Sequence, residues 1–454
     1  MFINDKILSY YLSDKKGIYF FPNRFARQIK SGIFDDVFYK KKYELLKKNG
    51  VFNKKEILLD GLYSGPIIRR ALTNTIAIDF ELTENCNLDC EYCIFGKFYE
   101  QIPGRKNKSI NLNYAFKLID YTFNLFNDPN ENFSLGKPIY LGFYGGEPLL
   151  EFKKLVEIIN YAKSKKLNYN FLRYSMTTNG TLIHKYIDYL VEHEFKLSIS
   201  LDGNKNHNYL RKYKNKKECY DDVFNNINLI KRKYPAYFKE NVSFNTVRHS
   251  KNPVNEVEKY FSENFNKRPI FSLLNQNRIN KNNEIEFNKI LSEPDLQIRI
   301  KEYYDFLKNF SERIKPSYAD FFDGDEENFI PTGTCIPFSR RIFLTADGKI
   351  LPCEKIDHKY YLGEVTYNGV SIDFEEIGAK LNKVLADIKK SCYNCSNLWH
   401  CEECMFSFDK KADKYVCKKF TPKSKIKEYY KTIVENISEN KAILSKLIND
   451  YHEI

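Results

Sequence analysis

Six short apolar runs recur between residues 76 and 274. They read IAIDFEL (76–82), PIYLGFY (138–144), NFLRYSM (170–176), KLSISL (196–201), NVSFNTV (241–247) and PIFSLL (269–274). Amphipathic, helix-like stretches lie between them, such as LLEFKKLVEIINYAKSK and YDDVFNNINLIKRKY. Strands that alternate with helices in this way build βαβ units, because parallel strands need a long crossover connection. Six units predict an α/β fold, a partial (β/α)6 TIM-like barrel, with functional residues at the strand C-terminal ends. The chemically distinctive stretches fall there. ENCNLDCEYC follows the first run, Gly145-Gly146-Glu147-Pro148 the second and Thr177-Thr178-Asn179-Gly180 the third, while Ser200 and Asp202-Gly203 close the fourth.

The flanks differ in character. Residues 1–72 combine β-like runs (ILSYYL, GIYFFP) with a helical stretch, FDDVFYKKKYELLKKNG, that ends at Gly50, a residue suited to stopping a helix. This predicts a small α+β module. It holds fifteen Lys/Arg against seven Asp/Glu, and such a basic segment suits nucleic acid, a membrane surface or an acidic partner, or is simply a solvated face. Residues 276–330 are polar and predict a bridge. From 331 the chain is rich in cysteine, and TPKSKIKEYYKTIVENISENKAILSKLI predicts a packed terminal helix. Apolar residues at 43% and charged residues at 29% describe a globular protein. No apolar run approaches the roughly 18–20 residues that span a bilayer. The N-terminus carries charges where a signal peptide needs an apolar stretch, so a cytoplasmic location without membrane attachment is expected.

In a reducing compartment, closely spaced cysteines point to metal or redox work rather than to disulfides. Ten of the eleven are clustered; Cys219 stands alone and reads as an incidental thiol. Cys86, Cys90 and Cys93 place three thiolates on one loop. That is too few for a tetrahedral zinc site, and no histidine lies nearby. A four-iron cubane held by three thiolates leaves one iron open to another molecule.

The C-x3-C-x2-C loop after the first strand, with Tyr92 before its last cysteine and YGGEP after the second strand, resembles the radical S-adenosylmethionine (SAM) superfamily. The resemblance implies a cluster on Cys86, Cys90 and Cys93 whose open iron holds SAM. Reductive cleavage of SAM would then give a 5′-deoxyadenosyl radical. Gly145, Gly146 and Glu147 would hold the methionine amino group through backbone oxygens and the carboxylate. Tyr92, Thr178, Asn179, Ser200, Asp202 and Arg211 resemble further positions around SAM, and the Arg211 guanidinium could pair with the SAM carboxylate. His207 sits in the same stretch. For these strand-end residues, capping of the following helix is the alternative role.

A second resemblance covers the C-terminal cysteines. CIPFSRRIFLTADGKILPC (Cys335 to Cys353), CYNCSNLWHCEEC (Cys392, Cys395, Cys401, Cys404) and Cys417 resemble the SPASM extension, which carries two auxiliary iron–sulfur clusters. Gly348 suits a hairpin turn between two strands. The two residues between Cys401 and Cys404 depart from the family's usual three. Spacing alone would also permit structural zinc. The resemblance implies that Cys392, Cys395, Cys401 and Cys417 hold a distal cluster and Cys335, Cys353 and Cys404 a nearer one. Three ligands would leave that nearer cluster with an open iron. The implied cofactors are SAM and three [4Fe-4S] clusters, with a flavodoxin or ferredoxin as electron donor.

SPASM enzymes mostly act on peptides or proteins. Sulfatase-maturing members have an Asp just after the cysteine corresponding to Cys353, acting as a base; Glu354 stands there in this chain and is the expected catalytic residue. The wording PCEKIDHKYYLGEV is closer to maturases of ribosomally made peptides. Those often carry a winged-helix-like recognition element for the precursor's leader peptide, and residues 1–72 match it in size, pattern and position. The expected function is therefore a maturase installing a crosslink, a Cys thioether, in a precursor whose acidic leader adds a strand to the 1–72 module. Formylglycine formation, carbon–carbon or carbon–oxygen crosslinking and epimerisation are the enzymatic alternatives. An iron–sulfur or zinc protein that binds nucleic acid is the alternative of another class. No nucleic-acid partner is expected, because no basic stripe interleaved with aromatics stands out. The expected domains are 1–72, a 73–275 core, a 276–330 bridge and a 331–454 SPASM domain.

Overall fold

The computed structural model describes residues 2–4, 8–13, 17–48, 52, 62–100, 107–275, 279–291, 335–395, 401, 403–417 and 420–422. The helix stop at Gly50, most of the 276–330 bridge and the expected terminal helix beyond 422 lie outside the described residues. The chain divides into two compact units. One comprises Tyr63–Arg299 with Cys335–Lys380, the other Met1–Leu62, Ile300–Thr334 and Leu381–Ile454.

The larger unit is the barrel. All six expected strands form: β4 (Ala77–Thr83), β5 (Pro138–Gly145), β6 (Phe171–Thr178), β7 (Lys196–Ser200), β8 (Val242–Arg248) and β9 (Ile270–Leu273). They pair in sequence order and in parallel throughout. Helices α4 (Leu112–Phe126), α5 (Phe152–Ser164), α6 (Ile187–Glu192), α7 (Tyr220–Lys233) and α8 (Val254–Phe265) make the crossovers. Asn111 starts α4 by accepting the Asn113 N–H, which satisfies one of the donors a helix N-terminus leaves open. β4 is buried at every position, as expected of a parallel strand covered on both faces. Phe244 packs with Phe261 and Phe265 at centroid distances of 4.9 and 5.0 Å. Burying each such ring contributes roughly 2–3 kcal/mol.

The cysteine-rich segment does not begin a separate domain at 331. β10 (Arg341–Leu344) pairs in parallel with β4, Arg341 opposite Ala77 and Phe343 opposite Asp79. From there β11 (Lys349–Leu351), β12 (Gly363–Thr366) and β13 (Gly369–Ser371) extend the sheet antiparallel to ten strands. Gly348, at φ +91°, makes the expected turn between β10 and β11. Residues 335–380 therefore belong with the barrel, because an open parallel sheet leaves β4 with a row of unpaired backbone groups that β10 satisfies. Likewise α3 (Gly65–Thr73), placed with the N-terminal module by the expected boundary at 72, belongs to the barrel unit, where the Gly65 N–H donates to Glu375.

The other unit starts with an antiparallel sheet, β1 (Phe2–Asn4), β2 (Leu8–Ser13) and β3 (Gly17–Pro22), in the order β1-β2-β3. Helices α1 (Asn23–Ser31) and α2 (Val37–Lys48) follow, so the α+β character expected there is present. Phe25 and Ala26 are fully buried, with Phe34, Tyr39 and Tyr43 packed around them. Further along, a small hairpin joins β14 (Asp409–Lys411) to β15 (Lys414–Val416). No helix among the described residues is long and apolar enough to cross a membrane.

Candidate active site

The cysteine loop leaves the C-terminal end of β4, where parallel strands of a barrel present their functional groups. Gly145 and Gly146 bring the next strand end against it. Gly145 has φ +138°, and a Cβ there would collide with the Thr83 carbonyl. A Cβ on Gly146 would collide with the Asn85 carbonyl, next to Cys86. The backbone bonds Gly146 N–H to Thr83 O (2.7 Å) and Glu147 N–H to Asn85 O (2.8 Å) close this approach. The glycine pair thus fixes where the loop starts.

Cys86, Cys90 and Cys93 lie near one another, half-buried, and the charges of Cys93 and Cys86 both act on Cys90. Burial raises the thiol pKa of Cys86 and of Cys90. Among the described residues no three His, Cys, Asp or Glu side chains converge to hold a single metal ion. A cubane needs no such convergence, since each thiolate takes its own iron.

Glu147 is fully buried at the end of β5. Its Oε1 accepts the Thr178 hydroxyl at 2.8 Å and the Leu149 N–H at 3.1 Å, and its Oε2 accepts the Asn179 N–H at 2.7 Å. Burial raises its pKa to about 7, against the pull of those three donors. The carboxylate thus joins the ends of β5 and β6, a contact with the protein that the motif alone did not indicate. Asn179 turns its side chain back to the cysteine loop.

Tyr92, Asp202 and Arg211 form one buried chain. The Tyr92 hydroxyl donates to Asp202 Oδ2 at 2.6 Å and accepts from Arg211 Nη1 at 2.9 Å. Asp202 Oδ1 accepts the Val247 N–H at 2.9 Å. The buried Arg211 Nε has no hydrogen-bond partner in the protein, which leaves a donor for an anionic group of a ligand. His207 pairs with Glu256 (3.2 Å), and Ser200 ends β7 half-buried. Cys219 is fully buried; its thiol donates to the Arg211 carbonyl at 3.4 Å and accepts the Asn208 amide at 3.8 Å.

A second polar group joins Glu354, the expected base, to two residues that the sequence did not single out, Arg341 and Asp79. Arg341 at the start of β10 donates through Nη1 to Asp79 Oδ2 (2.9 Å) and to Glu354 Oε2 (2.8 Å). The Cys353 thiol also donates to Glu354 Oε2, at 3.3 Å. Asp79 lies on β4 over Gly142, whose missing side chain makes room for the carboxylate. Burial raises the Asp79 pKa to about 6; Arg341 opposes the shift and Glu354 adds to it. Burial also raises Tyr144, and the charges of Glu354, Cys93 and Cys353 push it the same way. Asp79 and Glu81 were visible as two charges at i and i+2 in a strand otherwise apolar, a period that marks one face. Arg341 and Tyr144 carried no comparable signal.

Of the remaining cysteines, Cys335 and Cys353 flank β10 and β11 in the barrel unit, and Cys404 belongs to the other unit. Cys392 is surrounded by Cys401, Cys417 and Cys395; burial, then those charges in that order, raises its pKa to about 12.

A partial barrel of six parallel strands, with three thiols at the mouth of the first and buried carboxylates inside, defines an α/β-barrel enzyme with its chemistry at the strand ends. A profile described as "Radical SAM superfamily" matches residues 80–261. The chain is 31% identical over 255 residues to the uncharacterised protein MJ0907 of Methanocaldococcus jannaschii, covering 54% of this chain and 78% of that one. It is 30% identical over 187 residues to a cysteine-type anaerobic sulfatase-maturating enzyme of Clostridium novyi, covering 40% and 46%. The fold is similar to a solved structure described as native anSMEcpe with bound AdoMet and Kp18Cys peptide. That match has a TM-score of 0.55 at 21% identity and covers 83% of this chain and 99% of the other. The chain belongs to the radical SAM superfamily. Membership brings SAM and a [4Fe-4S] cluster as cofactors. The three-thiol loop, the close glycine approach and the unpartnered Arg211 Nε fit that pair.

Proposed function

We propose that the protein is a radical SAM peptide maturase that installs a Cys thioether crosslink in a ribosomally made precursor. The observation that carries this reading is the Asp79–Arg341–Glu354 group, which adjoins Cys353 and whose Glu354 charge acts on Tyr144 together with that of Cys93. It would supply the charged wall against which a peptide is held and deprotonated.

Cys86, Cys90 and Cys93 would hold the SAM-binding cluster. Gly145 and Gly146 would offer backbone oxygens to SAM, with Tyr92, Thr178, Asn179, Ser200, Asp202 and Arg211 around it and Arg211 Nε facing the carboxylate. When bound, cluster and SAM together supply a reductive cleavage that leads to removal of a hydrogen atom from an unactivated carbon. Glu354 would accept the substrate proton, with Arg341 fixing its carboxylate. Cys392, Cys395, Cys401 and Cys417 would hold a distal auxiliary cluster, and Cys335, Cys353 and Cys404 a nearer one with an iron open to a substrate thiolate. The auxiliary clusters would take the remaining electron, and a flavodoxin or ferredoxin would supply the priming one. The basic 1–72 segment, whose described strands form a three-stranded sheet, would bind an acidic leader by strand addition.

The similarity to the Clostridium novyi enzyme and the carboxylate after Cys353 favour a second reading, oxidation of a Cys or Ser to formylglycine. Anaerobic incubation with SAM, dithionite and short Cys-containing peptides encoded beside the gene separates the two. A thioether gives loss of two hydrogens and a thiol that no longer alkylates. Formylglycine gives an aldehyde that reacts with a hydrazide. Absence of 5′-deoxyadenosine would refute both.

A further inference from the structure

Cys86 differs from a thiol simply buried in a loop, because two N–H groups point at its sulfur. The Leu88 backbone N–H lies 3.4 Å away and the Asn179 side-chain Nδ2 3.6 Å away. The orientation of the Asn179 amide is fixed from its other end. Its Oδ1 accepts the Thr181 N–H at 3.0 Å and the Thr181 hydroxyl at 2.7 Å, so that end is the oxygen and Nδ2 is the donor. Nδ2 also donates to Asn87 Oδ1 at 2.8 Å, and Asn87 Nδ2 returns to Thr181 Oγ1 at 2.8 Å. The Asn179 backbone is held in turn by the buried Glu147 carboxylate at 2.7 Å. A closed ring of Asn87, Asn179 and Thr181 therefore locks one N–H onto the loop's first sulfur.

We propose that Asn179 is a positioning residue whose amide N–H donates to the Cys86 sulfur and raises the reduction potential of the cluster held by Cys86, Cys90 and Cys93. The inference rests on the reading of those three cysteines as cluster ligands. Reduction adds negative charge to the cluster and its sulfurs, so an N–H donor stabilises the reduced form more than the oxidised one. The half-buried surroundings strengthen that preference, because a hydrogen bond away from water is electrostatically stronger. Leu88 N–H supplies a second donor from the loop itself. Asn179 is the one that a side-chain substitution can remove.

The test uses the full chain, reconstituted anaerobically with iron and sulfide, as parent, N179D and N179A. N179D keeps an acceptor for Thr181 and replaces the donor with an oxygen; N179A removes the amide. The electron paramagnetic resonance (EPR) signal that changes on adding SAM identifies the relevant cluster, and its amplitude is followed against applied potential. At the parent's midpoint the reduced-to-oxidised ratio is expected to fall at least tenfold in N179D, which for one electron is about 59 mV. N179A should shift in the same direction by less. Auxiliary signals should keep their midpoints. Midpoints coincident with the parent in both variants would overturn the proposal and leave the cluster reading standing. Weaker SAM binding with an unmoved midpoint would also overturn it, making Asn179 a SAM contact. Failure of both variants to take up a SAM-responsive cluster would assign Asn179 to assembly alone and equally overturn it. A parent without any SAM-responsive signal would refute the cluster reading and the proposal together.

Discussion

Replacing Asp79 by Asn should change how the barrel's stability depends on pH. Asp79 is buried with Arg341 as its counter-ion, and its pKa is raised from 3.8 to about 6. The folded chain therefore holds the proton more tightly than the unfolded chain. The stability associated with this group is fully present below the unfolded value near 3.8 and is lost as pH rises to about 6. A shift of roughly two units at about 1.4 kcal/mol each amounts to about 3 kcal/mol. D79N carries no proton to lose, so its barrel should gain about 3 kcal/mol over the parent between pH 3.5 and pH 7. Urea unfolding of the metal-free chain, followed by far-ultraviolet circular dichroism at several pH values, measures that difference. Parallel pH profiles for parent and D79N would refute the reasoning and show that Arg341 compensates the buried charge in full. A difference of opposite slope would show Asp79 ionised throughout, with Arg341 outweighing burial.

Three further outcomes follow from the site. G146A should lower iron and sulfide content after reconstitution, because the new Cβ meets the Asn85 carbonyl beside Cys86; colorimetric iron counting checks it. Y92F should destabilise the barrel by about 1–3 kcal/mol, since Asp202 loses a donor and Arg211 an acceptor in a buried site; a melting curve at fixed pH reads it. Converting Cys86, Cys90 and Cys93 together to Ala should remove about four irons per chain and abolish 5′-deoxyadenosine formation, measured by chromatography of the SAM reaction.

The barrel was legible because its strands are short, apolar and regularly separated by helices. All six formed within a residue or two of the expected limits, β4 over 77–83 against IAIDFEL at 76–82. The strand-end positions of Glu147, Asn179 and Asp202 were legible for the same reason. Their hydrogen-bond partners were not, because Glu147 meets Asn179 only when neighbouring strands register. The pairing of β10 with β4 was illegible too. Arg341 and Asp79 are 262 positions apart, and nothing local in SRRIFL announces a parallel partner that far upstream. Glu354 could be picked out by its place after Cys353, yet its guanidinium partner depended on the same distant pairing.

That pairing has a consequence for how the chain comes to be folded. During synthesis β4 emerges early, and its outer edge stays unpaired until β10 has left the ribosome. Parallel pairing at such separation is slow, since loop closure must precede any contact that rewards it. Meanwhile an apolar edge is open to strands of other chains. A fragment ending before residue 341 would keep that edge permanently, so the shortest soluble form of the barrel should extend through β10 rather than stop at β9. In this molecule the auxiliary cysteine segment is as much the last stave of the barrel as a holder of cysteines.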